Sequence, residues 1–324
     1  MKLLLTGATG FVGRNLLLHA INQGVEVFAP VRDERKLSRQ LEAEGVDSSK
    51  VRALPANPRE WSVEYDALVH CAGVLFERSL DRYLETNVYW TNEILKTRYP
   101  GCPTVILSSQ SAGGPTPEGQ LSREESNPDD PRSLYGESKL RMERLILREQ
   151  EGEPIALLRP PMILGPRDNA TLQLFKLAAS PLRPKPGMRA KHYSFIAVSD
   201  LVEAIETALF HAAKLNEGAL YVASRQTISD IELIKSAAAV TRKPGLTIPL
   251  PDPVVKVVSG LVDKSPKLRS QLPSLTRDRV EELWPSRWVV NPGAFESATG
   301  WFATTSAAEA LKQAYDFART EGTL

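Results

Sequence analysis

"KLLLTGATGFVGRNLLLHAINQG", residues 2–24, decides how the chain is read. A short apolar run, 2–6, meets a turn in which Gly7, Gly10 and Gly13 recur at every third position. An amphipathic stretch follows and stops at Gly24, as a helix does when the residue past its end must turn left-handed. Strand, glycine turn and helix in this order make a nucleotide-binding unit. Residues without Cβ let the backbone approach a pyrophosphate, and the helix N-terminus offers free N–H groups and the positive end of its dipole. The spacing is a relative of G-x-G-x-x-G with the first interval lengthened. Gly7, Thr9, Gly10, Phe11, Val12 and Gly13 are the candidate phosphate cradle.

Outward from this unit, strands and helices keep alternating. Apolar strands are expected at 25–31, 51–54, 67–73, 104–109 and 155–160, and helices at 34–45, 81–100 and 133–150. Near-continuous apolar strands between amphipathic helices predict an α/β fold, a Rossmann-type doubly wound parallel sheet covered on both faces. After Pro160 the pattern loosens, returns over 195–224, and then becomes helical and irregular. The expected division is a dinucleotide-binding domain of 1–160 plus 195–224, and a smaller, mainly helical C-terminal substrate lobe of 161–194 plus 225–324.

The end of the second strand discriminates between cofactors. Arg32 follows it, with Arg35 and Lys36 close behind, and a guanidinium suits a 2′-phosphate. NADP(H) is therefore expected, with NAD open, because Asp33 reads either as a ribose ligand or as a helix cap. In "SLYGESKL", 133–140, Tyr135 and Lys139 stand four apart, so a helix puts both on one face. Pro131 suits a helix first turn, with Asp130 as its cap.

Composition sets the class. Lys+Arg number 40 against 39 Asp+Glu, which gives no electrostatic footprint for nucleic acid. Cys71 and Cys102 form neither a disulfide framework nor a metal spacing, so a reducing cytoplasm is expected. The apolar start is too short for a signal peptide, and no run reaches the roughly 18 residues of a membrane span. His70 and the tryptophans Trp284, Trp288 and Trp301 read as packing, the latter three in the small lobe. The helix "PVVKVVSGLVDK", 253–264, reads as core or pocket wall in preference to a membrane contact.

Taken together these stretches resemble the extended short-chain dehydrogenase/reductase superfamily. "TGATGFVG" is similar to its T-G-x-x-G-x-x-G and "YGESK" to its Y-x-x-x-K. "ALVHCAG" resembles the strand and turn on the adenine side, which adds Cys71, Ala72 and Gly73 as cofactor contacts. Asn87 occupies the place of the asparagine in N-V-x-G-T, and "LRPPMILGP" resembles the segment bordering the nicotinamide, which adds Pro160. The resemblance implies Tyr135 as general acid/base, and Lys139 as the residue that tunes it and holds the nicotinamide ribose. It implies Ser109 as the hydroxyl that orients the substrate oxygen, with Ser111 as the rival. Leu54 stands where an adenine-contacting Asp is expected. Gln110 and Ser111 replace the Asp-Glu pair of sugar-nucleotide dehydratases, and "GMRAKHYS" lacks the Arg-Asp pair common in epimerases. Both departures point away from a nucleotide-sugar. With the apolar runs 172–179 and 253–262, they lead to the expectation of a hydrophobic carbonyl or secondary alcohol as the small-molecule substrate, and of a homodimer as one assembly open to the chain. The alternatives are a sugar-nucleotide epimerase and a non-catalytic NADP-binding sensor or assembly protein on the same fold.

Overall fold

The computed structural model describes residues 1–272 and 275–324. Its first half alternates β1 (Lys2–Thr6), α1 (Phe11–Asn22), β2 (Glu26–Pro30), α2 (Glu34–Ala43), β3 (Val51–Leu54) and β4 (Ala67–His70). Next come α3 (Leu80–Leu84), a π turn at Glu85–Trp90, α4 (Thr91–Leu95), β5 (Thr104–Leu107), α5 (Gln110–Gly113), α6 (Leu134–Glu149) and β6 (Ile155–Arg159). The second half holds β7 (Met162–Leu164), α7 (Asn169–Ala178), β8 (Leu182–Pro186), β9 (His192–Ala197), α8 (Val198–Phe210), β10 (Ala219–Tyr221) and β11 (Thr227–Ser229). It closes with α9 (Asp230–Thr241), β12 (Leu246–Leu250), α10 (Asp252–Lys264), α11 (Pro266–Gln271), α12 (Arg277–Val280), β13 (Arg287–Trp288), α13 (Gly293–Thr299) and α14 (Ala307–Thr320).

Seven parallel strands form the main sheet in the order β10-β6-β5-β4-β1-β2-β3. The strand order reverses between β1 and β4, and the crevice at their carboxyl ends is where such sheets take ligands. Alternation within each apolar strand fills two layers. Leu3, Leu5, Val27, Val69 and Val105 point into one with α1 and α8, whereas Leu4, Phe28, Leu68 and Ile106 point into the other with α4 and α6. A side chain such as Leu4, fully removed from water, contributes about 2–3 kcal/mol of transfer free energy. A second sheet has β9 at its centre, pairing with β7, β11 and β13, and β8 pairs with β12. Phe175, Phe195, Ala237 and Leu311 form the core of that lobe.

Four local readings are corrected. The helix expected over 81–100 stops at Leu95 and contains the π turn. The cap of α6 is Ser133, whose Oγ accepts from Gly136 N at 3.0 Å; Asp130 instead pairs with Arg132. The stretch after 225, expected helical, carries three short strands. Trp301 packs edge-on against Phe295 beneath the main sheet, not within the small lobe, because α13 runs under β10.

Candidate active site

The glycine turn leaves no room for side chains. A Cβ on Gly13 would lie 2.1 Å from Gly7 O, and one on Gly7, where φ is +74°, would lie 2.7 Å from Ala72 N. Gly10 is the N-cap of α1 and has no side chain to bond the first-turn amides. The N–H groups at Phe11, Val12 and Gly13 therefore face the crevice without an intrahelical acceptor. Thr9 is held by its carbonyl, which accepts from Gln40 Nε2 at 3.4 Å. A cradle of bare amides that tolerates no Cβ fits a pyrophosphate.

At the end of β2 the two readings of the acidic residue separate. Asp33 caps α2, its carboxylate accepting from Lys36 N at 3.0 Å. Arg32 is exposed and forms no ion pair among the described residues. The cation is thus available to a ligand while the carboxylate is committed to a backbone amide.

On the other side of the crevice, a hydrogen-bonded relay ties the turn after β4 to the π turn. Ala72 N donates to Thr6 Oγ1 (3.3 Å), which lies 2.8 Å from His70 Nδ1; His70 Nε2 lies 2.9 Å from Thr91 Oγ1, which donates to Asn87 O (3.0 Å). The two ends assign the tautomer. Thr91 uses its proton on Asn87 O, so His70 must donate from Nε2 and accept at Nδ1. Burial and the nearby Lys139 charge push His70 down to about 3, which keeps it neutral. Asn87 in turn clamps the turn onto α6. Its Oδ1 accepts from Val74 N (2.8 Å), and its Nδ2 donates to Val74 O (3.1 Å) and Ser138 Oγ (3.0 Å). Burial pushes the Cys71 thiol up to about 12.

Tyr135 and Lys139 lie on one face of α6, one turn apart, both buried. Gly136 between them is imposed by α5, since a Cβ there would lie 2.3 Å from Ser111 O. Lys139 Nζ donates to Leu107 O at 2.8 Å and points toward Gly73, whose Cβ would sit 3.4 Å from it. Burial pulls this ammonium down to about 8, with Glu143 and Cys71 opposing. Tyr135 moves the other way, to about 12. Burial raises it, and Arg279 first and then Ser109 lower it. The Ser109 hydroxyl therefore acts on the phenol, while its Oγ also accepts from Ser111 N (3.1 Å). Pro160 backs this corner, its carbonyl accepting from Gln110 N at 2.9 Å. A phenol at about 12 keeps its proton at neutral pH.

The residues that sequence reading missed come from the far end of the chain. Arg279 lies over the Tyr135 ring, 5.1 Å from its centroid, and pairs with Glu282. Asp278 Oδ1 accepts from Leu134 N (2.7 Å), and Glu282 Oε1 from Ser133 Oγ (2.5 Å), so α12 and its extension complete the N-terminus of α6. "LTRDRVEELW", 275–284, has no local pattern to announce this role. Only the packing of α12 on α6 reveals it.

A parallel sheet with its switch point at a bare-amide glycine turn, facing a Tyr/Lys helix, defines a dinucleotide-dependent enzyme of the extended short-chain dehydrogenase/reductase type. The chain belongs to the NAD dependent epimerase/dehydratase family, whose model matches residues 3–223. It is 27% identical over 331 residues to a ceramide reductase of Caulobacter vibrioides, covering 99% of this chain and 95% of the relative. It is 26% identical over 278 residues to a 4-hydroxy-2-methyl-3-oxo-4-farnesyl-3,4-dihydroquinoline-1-oxide ketoreductase of Stigmatella aurantiaca, covering 80% and 75%. The fold matches UDP-glucuronic acid 4-epimerase from Bacillus cereus in complex with NAD, with a TM-score of 0.75 at 18% identity over 99% of both chains.

Proposed function

We propose that the protein is an NADP(H)-dependent ketoreductase acting on a carbonyl of a hydrophobic small molecule. The observation that carries the reading is geometric: Tyr135 and Lys139 lie buried one turn apart on α6, with Lys139 Nζ bonded to Leu107 O at the carboxyl end of β5, where Ser109 follows. The glycine turn, Ala72 and Gly73 line the crevice for the dinucleotide, and Arg32 meets a 2′-phosphate; Asn87, expected as a cofactor contact, is instead fully buried behind them with its amide bonded to Val74 and Ser138. The bound nicotinamide supplies the hydride. Ser109 orients the substrate oxygen, Tyr135 gives it a proton, Lys139 holds the ribose, and Arg279 keeps positive charge near the phenol. Run backwards, the same groups oxidise a secondary alcohol once the phenol is ionised. A relative named ceramide reductase and one named as the ketoreductase of a farnesyl-bearing dihydroquinoline-1-oxide support the hydrophobic substrate.

The test is a panel of long-chain and polycyclic ketones with NADPH, followed by loss of nicotinamide absorbance. Turnover is expected on the panel, and Tyr135→Phe should lose at least about a thousandfold in kcat while binding NADPH unchanged. Turnover restricted to nucleotide-sugars would replace this reading by the epimerase one. A Tyr135→Phe protein as active as the parent would remove the phenol from the mechanism.

A further inference from the structure

Helix α10 is apolar on two sides, and only one of them is covered. Val255, Ser259, Gly260 and Val262 pack inward, whereas Val254, Val257 and Leu261, spaced along one stripe, face water. Val257 is 65% and Leu261 56% exposed, and α11 continues the patch with exposed Leu268 and then Leu272. An apolar stripe of this length on a surface helix marks a contact site, which corrects the expectation that 253–264 is wholly core or pocket wall.

The charges around the stripe identify what it meets. Between residues 252 and 272 stand Lys256, Lys264, Lys267 and Arg269 against Asp252 and Asp263. Asp263 is engaged by Arg269 and by the Arg277 amide. Arg269 also donates to Glu77 O at 2.9 Å and binds α11 to the loop that carries exposed Leu75 and Phe76. There Arg78, Arg82 and Arg269 line a cavity of ≈ 460 Å³ together with Glu77; Arg82 pairs with Glu85 and Arg269 with Asp263. Around the stripe the four cations exceed the two carboxylates, so its rim is cationic. An anionic lipid surface receives both the apolar stripe and the cations at its rim. The patch also runs into the candidate active site: the Arg279 guanidinium lies 5.9 Å from the Phe76 ring and 5.1 Å from that of Tyr135.

We propose that the outer face of α10 and α11, with the Leu75–Phe76 loop beside it, docks on an anionic lipid bilayer and turns the mouth of the Tyr135 site toward it. Docking itself does not rest on the ketoreductase reading, and the two fail separately because binding is measured without turnover.

The experiment is flotation of the full chain with vesicles of phosphatidylcholine alone and of phosphatidylcholine with phosphatidylglycerol. Flotation is expected with the anionic vesicles only, and should be lost in about 1 M salt, where the screening length falls to about 3 Å. Val257→Asp with Leu261→Asp should weaken partitioning about tenfold or more, and Lys267→Glu about fivefold, with melting temperature and NADPH binding unchanged. Absence of flotation on anionic vesicles overturns the proposal, as does a Val257→Asp/Leu261→Asp protein that binds like the parent. So does a concentration-dependent dimer, seen by ultracentrifugation, that these substitutions abolish, since a second copy then covers the face.

Discussion

Lys139 shows at the level of one residue what the site costs the fold. Its ammonium is buried against a single carbonyl, and burial brings it from 10.5 to about 8. Below pH ~8 it is charged in both the folded and the unfolded chain, so folding carries the whole cost of burying the charge. Above pH ~10.5 it is neutral in both and the cost is gone. Stability should therefore rise between about pH 8 and 10.5, by on the order of 3 kcal/mol from this group. Lys139→Met should flatten that rise and melt higher than the parent at pH 7, while losing turnover; thermal melts across this pH range check it. Tyr135, at about 12, stays protonated over most of the window, so a fall in ketone reduction above pH 8 reports Lys139 and not the phenol.

Among the elements, α6 depends most on residues remote in sequence. Its first-turn amides are bonded by Ser133 and by Asp278, and a carboxylate at a helix N-terminus also meets the dipole. Asp278→Ala should cost about 1–2 kcal/mol in urea unfolding, and Asp278→Asn less, since it keeps an acceptor but not the charge. The legibility of the site follows the same division. Gly7, Gly13, Tyr135 and Lys139 were readable because a turn or a helix repeat fixes their spacing within a few residues. Arg279, Asp278 and the Thr6–His70–Thr91 relay were not, since each joins segments whose separation only the tertiary packing closes. The cap was misread for a related reason: Asp130 and Pro131 make a plausible helix start, but Asp130 O lies against Gly114, so the chain begins the helix at Ser133 instead.

For the molecule as a whole, the parallel sheet and its switch point were legible from alternating apolar strands, while the small sheet around β9 was not, because its strands are short and widely separated. No helix among the described residues is long and apolar enough to cross a membrane. Dinucleotide binding at the switch point should be felt by the entire fold. At about a hundred times its Kd a ligand adds about 2.7 kcal/mol of stability. NADPH should raise the melting temperature more than NADH at equal concentration, and Arg32→Ala should erase the difference; equal shifts in the parent would assign the cofactor to NAD. The joining of α6 to α12 also bears on how the protein is made. Glu282 stands 149 positions after Ser133. At about 5–20 residues per second, the ribosome needs roughly 7–30 s to supply the segment that seats the Tyr135 helix. The sheet and its glycine turn emerge well before that. A nascent chain therefore has most of its nucleotide crevice long before the Tyr135 helix is seated by α12.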